Sequence, residues 1–307
     1  MFHDFVFISA KITLSIIAGG FDGKSKYLSS VEVLSGNLRN NVLPNLPSEI
    51  RGSSMVMHDK SILICGGSNN FTKCLQLDQD SWIEHSTLNK KRDYSLAVTT
   101  RSTTFIFGGE SNPNTYEFLP KDSTEWQMGL KEIPGVGFSH GCAMAVKSEQ
   151  EIWLIGGCGI YERIVSFHVN DHTFVELPSK LIEPRYEHRC AYIPNTNKIL
   201  VTGGNYQDST EIIDTEDGSV TMASPMNLKR SDHGIGVITI NGEDKLAVFG
   251  GYSRGRFLNS IELYDAETGQ WEISELKLNQ ARHGFGFINV KLDQLIDFDN
   301  HSWKDFN

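Results

Sequence analysis

Several features that would reveal a function directly are missing from this sequence of 307 residues. Its 28 Lys and Arg residues are outnumbered by 38 Asp and Glu residues, and no basic run occurs. Because phosphate backbones are bound by basic surfaces, nucleic acid is not expected as a partner. No apolar run is long enough to span a membrane. No nucleophile elbow, phosphate-binding loop or HExxH motif occurs either, so we expect no enzymatic activity and no cofactor.

Cysteine is scarce, and its number is odd: Cys65, Cys74, Cys142, Cys158 and Cys190. The spacing of these residues does not match that of a metal site. We therefore interpret them as small buried side chains in a reducing compartment, which predicts a cytoplasmic protein.

The N-terminal stretch leaves secretion open as an alternative. Residues 1–18 are apolar enough to resemble a secretion signal. However, Asp4 stands where a signal prefers positive charge, and Lys11 interrupts the apolar stretch. Because residues 12–18 also fit a buried β-strand, we favour the strand over the signal.

Glycine pairs form the most regular pattern in the chain. Six apolar runs each end on a Gly-Gly pair, and successive pairs lie 42 to 48 residues apart. A short apolar run that ends at turn residues predicts a strand buried on both faces. The pairs are Gly19-Gly20, Gly66-Gly67, Gly108-Gly109, Gly156-Gly157, Gly203-Gly204 and Gly250-Gly251.

The repeated unit resembles the kelch repeat. In its clearest copy, Leu246–Gly251 is followed by the alternating strand Ile261–Asp265 and by Trp271. The resemblance implies an all-β, six-bladed β-propeller with four antiparallel strands in each blade. The blades would occupy residues 12–290 as a single domain, between an N-terminal segment 1–11 and a C-terminal tail 291–307. The repeats use nearly the whole sequence, so no BTB or BACK domain, which accompany many kelch propellers, is expected within it.

Two arrangements would complete the ring. The strand predicted at residues 284–290 could join blade 1 and close the propeller, since an open ring leaves an unpaired edge. Alternatively, residues 284–303 could form a degenerate seventh blade, with residues 5–9 as the inner strand of blade 1. We favour the first arrangement. In either arrangement, Cys65 and Cys74 fall on adjacent strands, and Cys142 and Cys190 take matching places on neighbouring inner strands.

Arginine repeats ahead of the predicted inner strands, at Arg51, Arg92, Arg185, Arg230 and Arg282, whereas blade 4 has Gly137. One interpretation is a ring of guanidinium groups around a shallow pocket that binds a carboxylate or phosphate. The other is structural, because a residue that repeats with the fold can bind backbone carbonyls between blades. We favour the structural role for any single Arg.

Histidine repeats three residues beyond this position, at His140, His188 and His233. Because inner strands converge on the propeller axis, three imidazoles could meet there and bind a metal. The interpretation that we favour is that each imidazole donates a hydrogen bond to the backbone of a neighbouring blade.

The loops after Gly-Gly differ most between blades, as recognition loops on a rigid scaffold do. Tyr206, Tyr252 and Arg254 break the pattern and are the best candidates for partner contacts, together with the five Arg residues. We therefore predict a monomeric, non-catalytic scaffold that binds a protein or peptide. Because kelch-like rings often serve as substrate receptors in ubiquitin ligation, that role is one expectation.

An enzyme or lectin-like protein that acts on a small acidic ligand, such as a sugar acid, is the alternative. A deep closed pocket with two or more unpaired Arg side chains would support it. A broad mouth lined by aromatic side chains would support a protein partner.

Overall fold

The computed structural model describes residues 13–24, 26–35, 38–39, 43–68, 72–135, 138–146 and 149–291. Several predicted features lie outside this part of the chain: the N-terminal segment 1–11, the alternative strand at 5–9, Gly137 and the tail beyond Lys291. The described residues form 26 strands and no helix. Six four-stranded antiparallel sheets contain 24 of these strands.

Each of the first three blades has its strands in order from the propeller axis to the rim. Blade 1 contains β26 (Gly286–Lys291), β1 (Thr13–Ala18), β2 (Val31–Ser35) and β3 (Leu38–Arg39). Blade 2 contains β4 (Ser54–His58), β5 (Ser61–Cys65), β6 (Lys73–Asp78) and β7 (Ser81–Thr87). Blade 3 contains β8 (Leu96–Thr99), β9 (Thr103–Phe107), β10 (Tyr116–Pro120) and β11 (Gln127–Met128).

The remaining blades follow the same order. Blade 4 contains β12 (Cys142–Val146), β13 (Glu151–Ile155), β14 (Arg163–His168) and β15 (Thr173–Lys180). Blade 5 contains β16 (Arg189–Tyr192), β17 (Lys198–Thr202), β18 (Thr210–Asp214) and β19 (Val220–Ala223). Blade 6 contains β20 (Gly234–Ile240), β21 (Glu243–Phe249), β24 (Ser260–Asp265) and β25 (Gln270–Lys277), and the hairpin of β22 (Tyr252–Ser253) and β23 (Arg256–Phe257) follows its Gly-Gly pair.

Strand composition matches strand position. The second strand of each blade is an apolar run that lies between two other strands and between two neighbouring blades, and β1 is buried along its whole length. The outermost strands face solvent on one side, so β25 alternates buried Trp271 with exposed neighbours. This confirms the predicted β-propeller of six four-stranded blades.

Strand β26 closes the ring. It pairs antiparallel with β1, with Thr13 opposite Lys291 and Ala18 opposite Gly286. The arrangement that the sequence analysis favoured is therefore confirmed. Without β26, the inner edge of β1 would present unpaired N–H and C=O groups to the central channel.

Within the described ranges the buried hydrophobic side chains form six clusters, and each cluster lies between two neighbouring blades. Tryptophan side chains near the rim also connect neighbouring blades by hydrogen bonds. The indole N–H of Trp126 donates to Ser86 of blade 2, and that of Trp271 donates to Ser224 after blade 5. Stability is therefore shared among interfaces rather than held within separate blades.

The glycine pairs are the joints between blades. A Cβ at Gly108 would overlap the carbonyl oxygen of Phe138 in the next blade, and the φ of Gly108 is +63°. Only glycine fits such a close approach in this conformation. The second glycine of every pair donates its N–H to one residue of the next blade, which we call the joint residue. The joint residues are Ile50, Arg92, Phe138, Arg185, Arg230 and Arg282.

Candidate functional site

Four of the five predicted arginines are joint residues with fully buried side chains. Each guanidinium pairs with a buried Glu of its own blade, at N···O distances from 2.7 to 3.0 Å. Each also donates to the carbonyl of its own blade's first Gly. This placement favours the structural role over the ligand-binding one. The pairs are Arg92–Glu117, Arg185–Glu211, Arg230–Glu262 and Arg282–Glu32.

The paired glutamates also hold the loops that cross between blades. Glu262 accepts the backbone N–H groups of Asn227 and Leu228 as well as the side-chain amide of Asn227. Glu117 does the same for Asn89 and Lys90. The Asn three residues before these arginines therefore belongs to the same joint.

In blades 2 and 4, apolar side chains replace both members of the ion pair. The joint residues there are Ile50 and Phe138. Leu75 and Val165 take the positions of the glutamates in the strand pairing and share a core cluster with Ile50 and Phe138, respectively. Arg51 is therefore one residue beyond the joint and is not a fifth member of the ladder.

Arg51 instead lies at the mouth of the propeller among aromatic rings. Its guanidinium carbon is 5.7 Å from the ring centre of Phe21, 5.6 Å from that of Tyr27 and 5.3 Å from that of Tyr94. Its buried Nε has no hydrogen-bond partner among the described residues. Cation–π attraction to three rings therefore holds Arg51 in place.

Six peptide groups form a closed ring of hydrogen bonds around the axis at this mouth. Each blade contributes one residue, whose N–H donates to the carbonyl of the corresponding residue in a neighbouring blade at 2.7 to 3.1 Å. All six residues have positive φ, between 48° and 70°. The ring consists of Gly52, Tyr94, His140, Glu187, Asp232 and Gly284. Because the backbone is fixed there, the side chains of the ring start from rigid positions.

Charged ring side chains form a network on one side of the axis. His140 bonds Glu110 through Nε2 at 2.9 Å and Asp232 through Nδ1 at 3.4 Å, and its imidazole stacks on Tyr94. Burial alone would lower the pKa of His140, but the bonds to Asp232 and Glu110 raise it to about 9. His140 is therefore a cation at neutral pH.

Asp232 is the centre of this network. Its carboxylate lies 3.6 Å from Arg189 and 3.7 Å from His283, in addition to the contact with His140. Burial would raise the pKa of Asp232, but bonds to His140 and His283 hold it well below its ordinary value. Glu187 differs, because burial and repulsion from Asp232 raise its pKa.

Aromatic side chains form one wall of a cleft of about 240 Å³ beside this network. The ring centroids of Tyr206 and Tyr252 are 6.0 Å apart, those of Tyr252 and Phe257 are 5.2 Å apart, and those of Phe257 and His283 are 5.3 Å apart. Phe21 extends this wall, because its ring centroid lies 5.5 Å from that of Phe257. We call the row of rings from Tyr206 to Phe21 the aromatic arc. Glu187 and Asp232 also line the cleft.

The hairpin of β22 and β23 supplies part of that wall. Tyr252 pairs with Phe257, and the two-residue turn of Arg254 and Gly255 has positive φ at both positions. Such a turn matches the twist of a tight hairpin. Arg254 is exposed at its tip. Of the predicted contact residues, Tyr206 and Tyr252 thus line the cleft, and Arg254 lies at the edge of the mouth.

The predicted set of three histidines does not come together. His188 bonds the carbonyl of Ile155 at 2.9 Å, and His233 bonds the hydroxyl of Thr202 at 2.8 Å, in both cases in the preceding blade. His188 thus makes the predicted bond to the backbone of a neighbouring blade, whereas His233 reaches the neighbouring blade but bonds a side chain. His140 belongs to a different position, because its equivalents are Glu187 and Asp232. Counting from Gly137 instead of Phe138 shifted the assignment by one residue.

Three residues at the mouth have donor atoms close enough to hold a metal ion. One ligand atom each of His140, Glu187 and Asp232 lies within 4.8 Å of the others. A metal would have to displace the proton from His140, which two carboxylates stabilise. The chemistry of this set therefore favours a protonated network over a metal centre.

Two other cavities are less suited to recognition. One of about 180 Å³ lies inside the central channel, between the inner strands. Another, of about 510 Å³, lies between the turns of blades 5 and 6 at the opposite end of the propeller. It is lined by residues at strand ends, such as Glu243 and Asp265, and by the turns beside them, and it lacks the aromatic arc.

The ring residues Tyr94, Glu187 and Asp232, and the position of Arg51 among three aromatic rings, were not predicted from the sequence. The only available signal was the position two residues after a joint Arg. This position differs among blades 3, 5 and 6, where it holds Tyr94, Glu187 and Asp232, although the joint Arg before it is the same in all three. Variation at one position of a repeat indicates a surface that has diverged for recognition.

Comparison with known proteins finds kelch-repeat proteins among those similar to this chain. The kelch motif model matches residues 241–274. Kelch-like protein 23 from Mus musculus and from Homo sapiens is 28% identical over 207 residues, which covers 63% and 64% of this chain and 35% of each relative. A RING finger domain and kelch repeat-containing protein from Dictyostelium discoideum is 25% identical over 204 residues, which covers 62% of this chain and 20% of the relative.

The glycine-paired blades, the interblade joints and the closed ring define a β-propeller of the kelch type. In its repeats and in about two thirds of its sequence, the chain is similar to kelch-repeat proteins. The matched region spans about a third of the length of the kelch-like relatives. Among the residues that the structure describes, no helix has the length and hydropathy needed to cross a membrane.

Proposed function

We propose that the protein is a non-catalytic scaffold that binds a protein or peptide at the mouth formed by the Gly-Gly loops and the hydrogen-bonded ring. The observation that carries this proposal is the aromatic arc from Tyr206 to Phe21, which continues to the caged Arg51. Tyr and Arg side chains held on a rigid frame are typical of energetically dominant contacts in interfaces. A single ring-closed propeller does not need a second copy to complete this surface.

The alternative, a small acidic ligand, is less well supported. Four arginines that would have anchored it are buried and paired. The cleft presents the carboxylates of Glu187 and Asp232 instead, and these would repel an anion. The open mouth also lacks the deep enclosure that small-molecule sites usually have.

A role as substrate receptor in ubiquitin ligation is the finer proposal. The Dictyostelium relative, whose name combines a RING finger domain with kelch repeats, supports it. This role requires a cytoplasmic protein. The structure, however, joins Cys65 to Cys74 and Cys142 to Cys190 by disulfides, which fit an oxidising compartment better. Thiol mapping of protein isolated from its native source distinguishes a cytoplasmic protein from one in an oxidising compartment. Free thiols would support the role in ubiquitin ligation, and linked pairs would contradict it.

Variants at the mouth test the general proposal. Chemical cross-linking of the full chain in its native lysate, followed by mass spectrometry, identifies partners. Tyr252→Ala and Arg51→Ala should reduce their recovery at least tenfold, whereas Ile273→Ala on the exposed outer strand of blade 6 should not. Thermal unfolding checks that the variants remain folded. Equal recovery of every partner by folded mouth variants and wild type would contradict the proposal.

A further inference from the structure

The cleft beside the ring combines two kinds of surface that seldom occur together. Its wall is aromatic, formed by Tyr206, Tyr252 and Phe257, and its floor carries the carboxylates of Glu187 and Asp232. Tyr206 is 46% exposed, so the wall is open to an incoming group. Aromatic faces attract cations through their negative quadrupole, and they also pack well against aliphatic chains.

The two carboxylates are not equivalent. Asp232 already faces His140, Arg189 and His283. Glu187 lies next to Asp232 in the ring, and its nearest cationic neighbour in the described part of the chain is His140, with ligand atoms of the two residues within 4.8 Å of each other. Burial and the charge of Asp232 raise the pKa of Glu187, and together they outweigh the opposing effects of His140, Ser231 and His283.

We infer that this cleft binds a cationic side chain, lysine or arginine, from a peptide segment of the partner. The aliphatic stem would lie against Tyr252 and Phe257, and the charged head would lie at Glu187. The inference rests on the proposed function, because it names the chemistry that the binding mouth selects. Charge complementarity supports it, since the chain has a net charge of −10 and the Glu187 carboxylate lines the cleft.

Selection of peptides provides the test. A phage library of random dodecapeptides is selected on the purified full chain, and the recovered peptides are synthesised and titrated by fluorescence anisotropy. We expect one fixed Lys or Arg among the recovered sequences. Replacing a selected Lys by norleucine, which keeps the stem and removes the charge, should weaken binding about tenfold. Substituting Glu187→Gln should have a similar effect, and Glu243→Gln at the opposite end should have none.

A double-substitution cycle locates the charge. If the head contacts Glu187, norleucine in the peptide and Glu187→Gln together should weaken binding little more than either change alone. If the two effects on binding multiply, or if bound peptides need no cation, the inference is wrong. The proposed function would still stand in that case, provided that Tyr252→Ala abolishes binding. Peptides that bind wild type and Tyr252→Ala equally would overturn both. Thermal unfolding of Glu187→Gln confirms that the ring remains intact.

Discussion

The guanidinium of Arg230 lies 3.0 Å from the carboxylate of Glu262, and neither side chain is exposed to solvent. In blade 4, Phe138 and Val165 take the same two positions. Each of these joints therefore contains a complete ion pair or a complete apolar pair. A lone buried charge would keep its desolvation cost without the attraction of its partner.

Removing one member of the pair should be severely destabilising. Glu262→Ala would leave the Arg230 guanidinium and two backbone N–H groups of the crossing loop without their acceptor. We expect the free energy of unfolding to fall by about 3–5 kcal/mol, measured by urea denaturation. A loss below about 1 kcal/mol would show that the joint contributes little, because exposed ion pairs have effects of that size.

Replacing both members should restore part of that loss. The double variant Arg230→Phe with Glu262→Val copies blade 4. Its free energy of unfolding should exceed the value expected from adding the two single effects by about 1–3 kcal/mol. Simple additivity in the same urea experiment would contradict the view that the two side chains form one unit.

Gly108→Ala should be among the most damaging substitutions in the chain. The added methyl group would overlap the carbonyl oxygen of Phe138 and would be strained at a φ of +63°. We expect a loss of more than about 3 kcal/mol, since the strain of the backbone alone costs about 1–3 kcal/mol. Gly242→Ala is the control, because its φ is also positive but no atom lies within 4 Å of the new methyl group. Equal melting temperatures of the two variants would rule out the interblade clash.

The propeller could be predicted from the sequence because the glycine pairs do the same physical task in every blade. The same pattern favoured closure by the strand after blade 6, but it left a degenerate seventh blade open as the alternative. The separate domain boundaries at residues 12 and 290 remain predictions.

The joint residues of blades 2 and 4 could not be assigned from the sequence. There the ion pair has become an apolar pair, and Ile50 or Phe138 looks like any core residue. Arg51, one position further on, was therefore taken for a member of the ladder, and His140 was aligned with His188 instead of Glu187. The cleft was equally hidden, because its residues come from loops of blades that meet only when the ring closes.

His188 should make the protein sensitive to acid. Burial, with repulsion from Arg185 and Arg189, lowers the pKa of His188 to about 3. In the unfolded chain His188 binds a proton near pH 6.5, whereas in the folded chain it stays neutral at that pH. The contribution of neutral His188 to the free energy of unfolding is therefore present above pH 6.5 and is lost as the pH falls. Between pH 7 and 5, His188 alone should cost about 2 kcal/mol.

The variant His188→Gln isolates this effect. Urea denaturation at pH 7 and pH 5 should give a smaller acid-dependent loss for His188→Gln than for wild type. His168→Gln, on β14, serves as the control and should keep the full acid-dependent loss. Identical pH dependence of His188→Gln and wild type would exclude His188 as a source of the acid sensitivity.

The disulfides should differ in their contribution to stability. Cys142 and Cys190 are 48 residues apart and connect blades 4 and 5, whereas Cys65 and Cys74 are 9 residues apart within blade 2. From loop closure alone, replacing the first pair by alanines should cost about 4 kcal/mol, and replacing the second should cost about 2.6 kcal/mol. Guanidinium denaturation of both variants, with and without reductant, checks the order. A larger loss for the Cys65–Cys74 pair would contradict the entropic argument.

The pairing of Thr13 with Lys291 has a consequence for biosynthesis. During translation β1 is synthesised early, but its partner strand β26 is synthesised only after five further blades. Throughout that interval the nascent chain carries an uncovered strand edge, and the cyclic set of six peptide hydrogen bonds lacks Gly284. Closure of the ring is therefore the last step of its folding, and until then the exposed edge of β1 is a site at which the growing chain can aggregate.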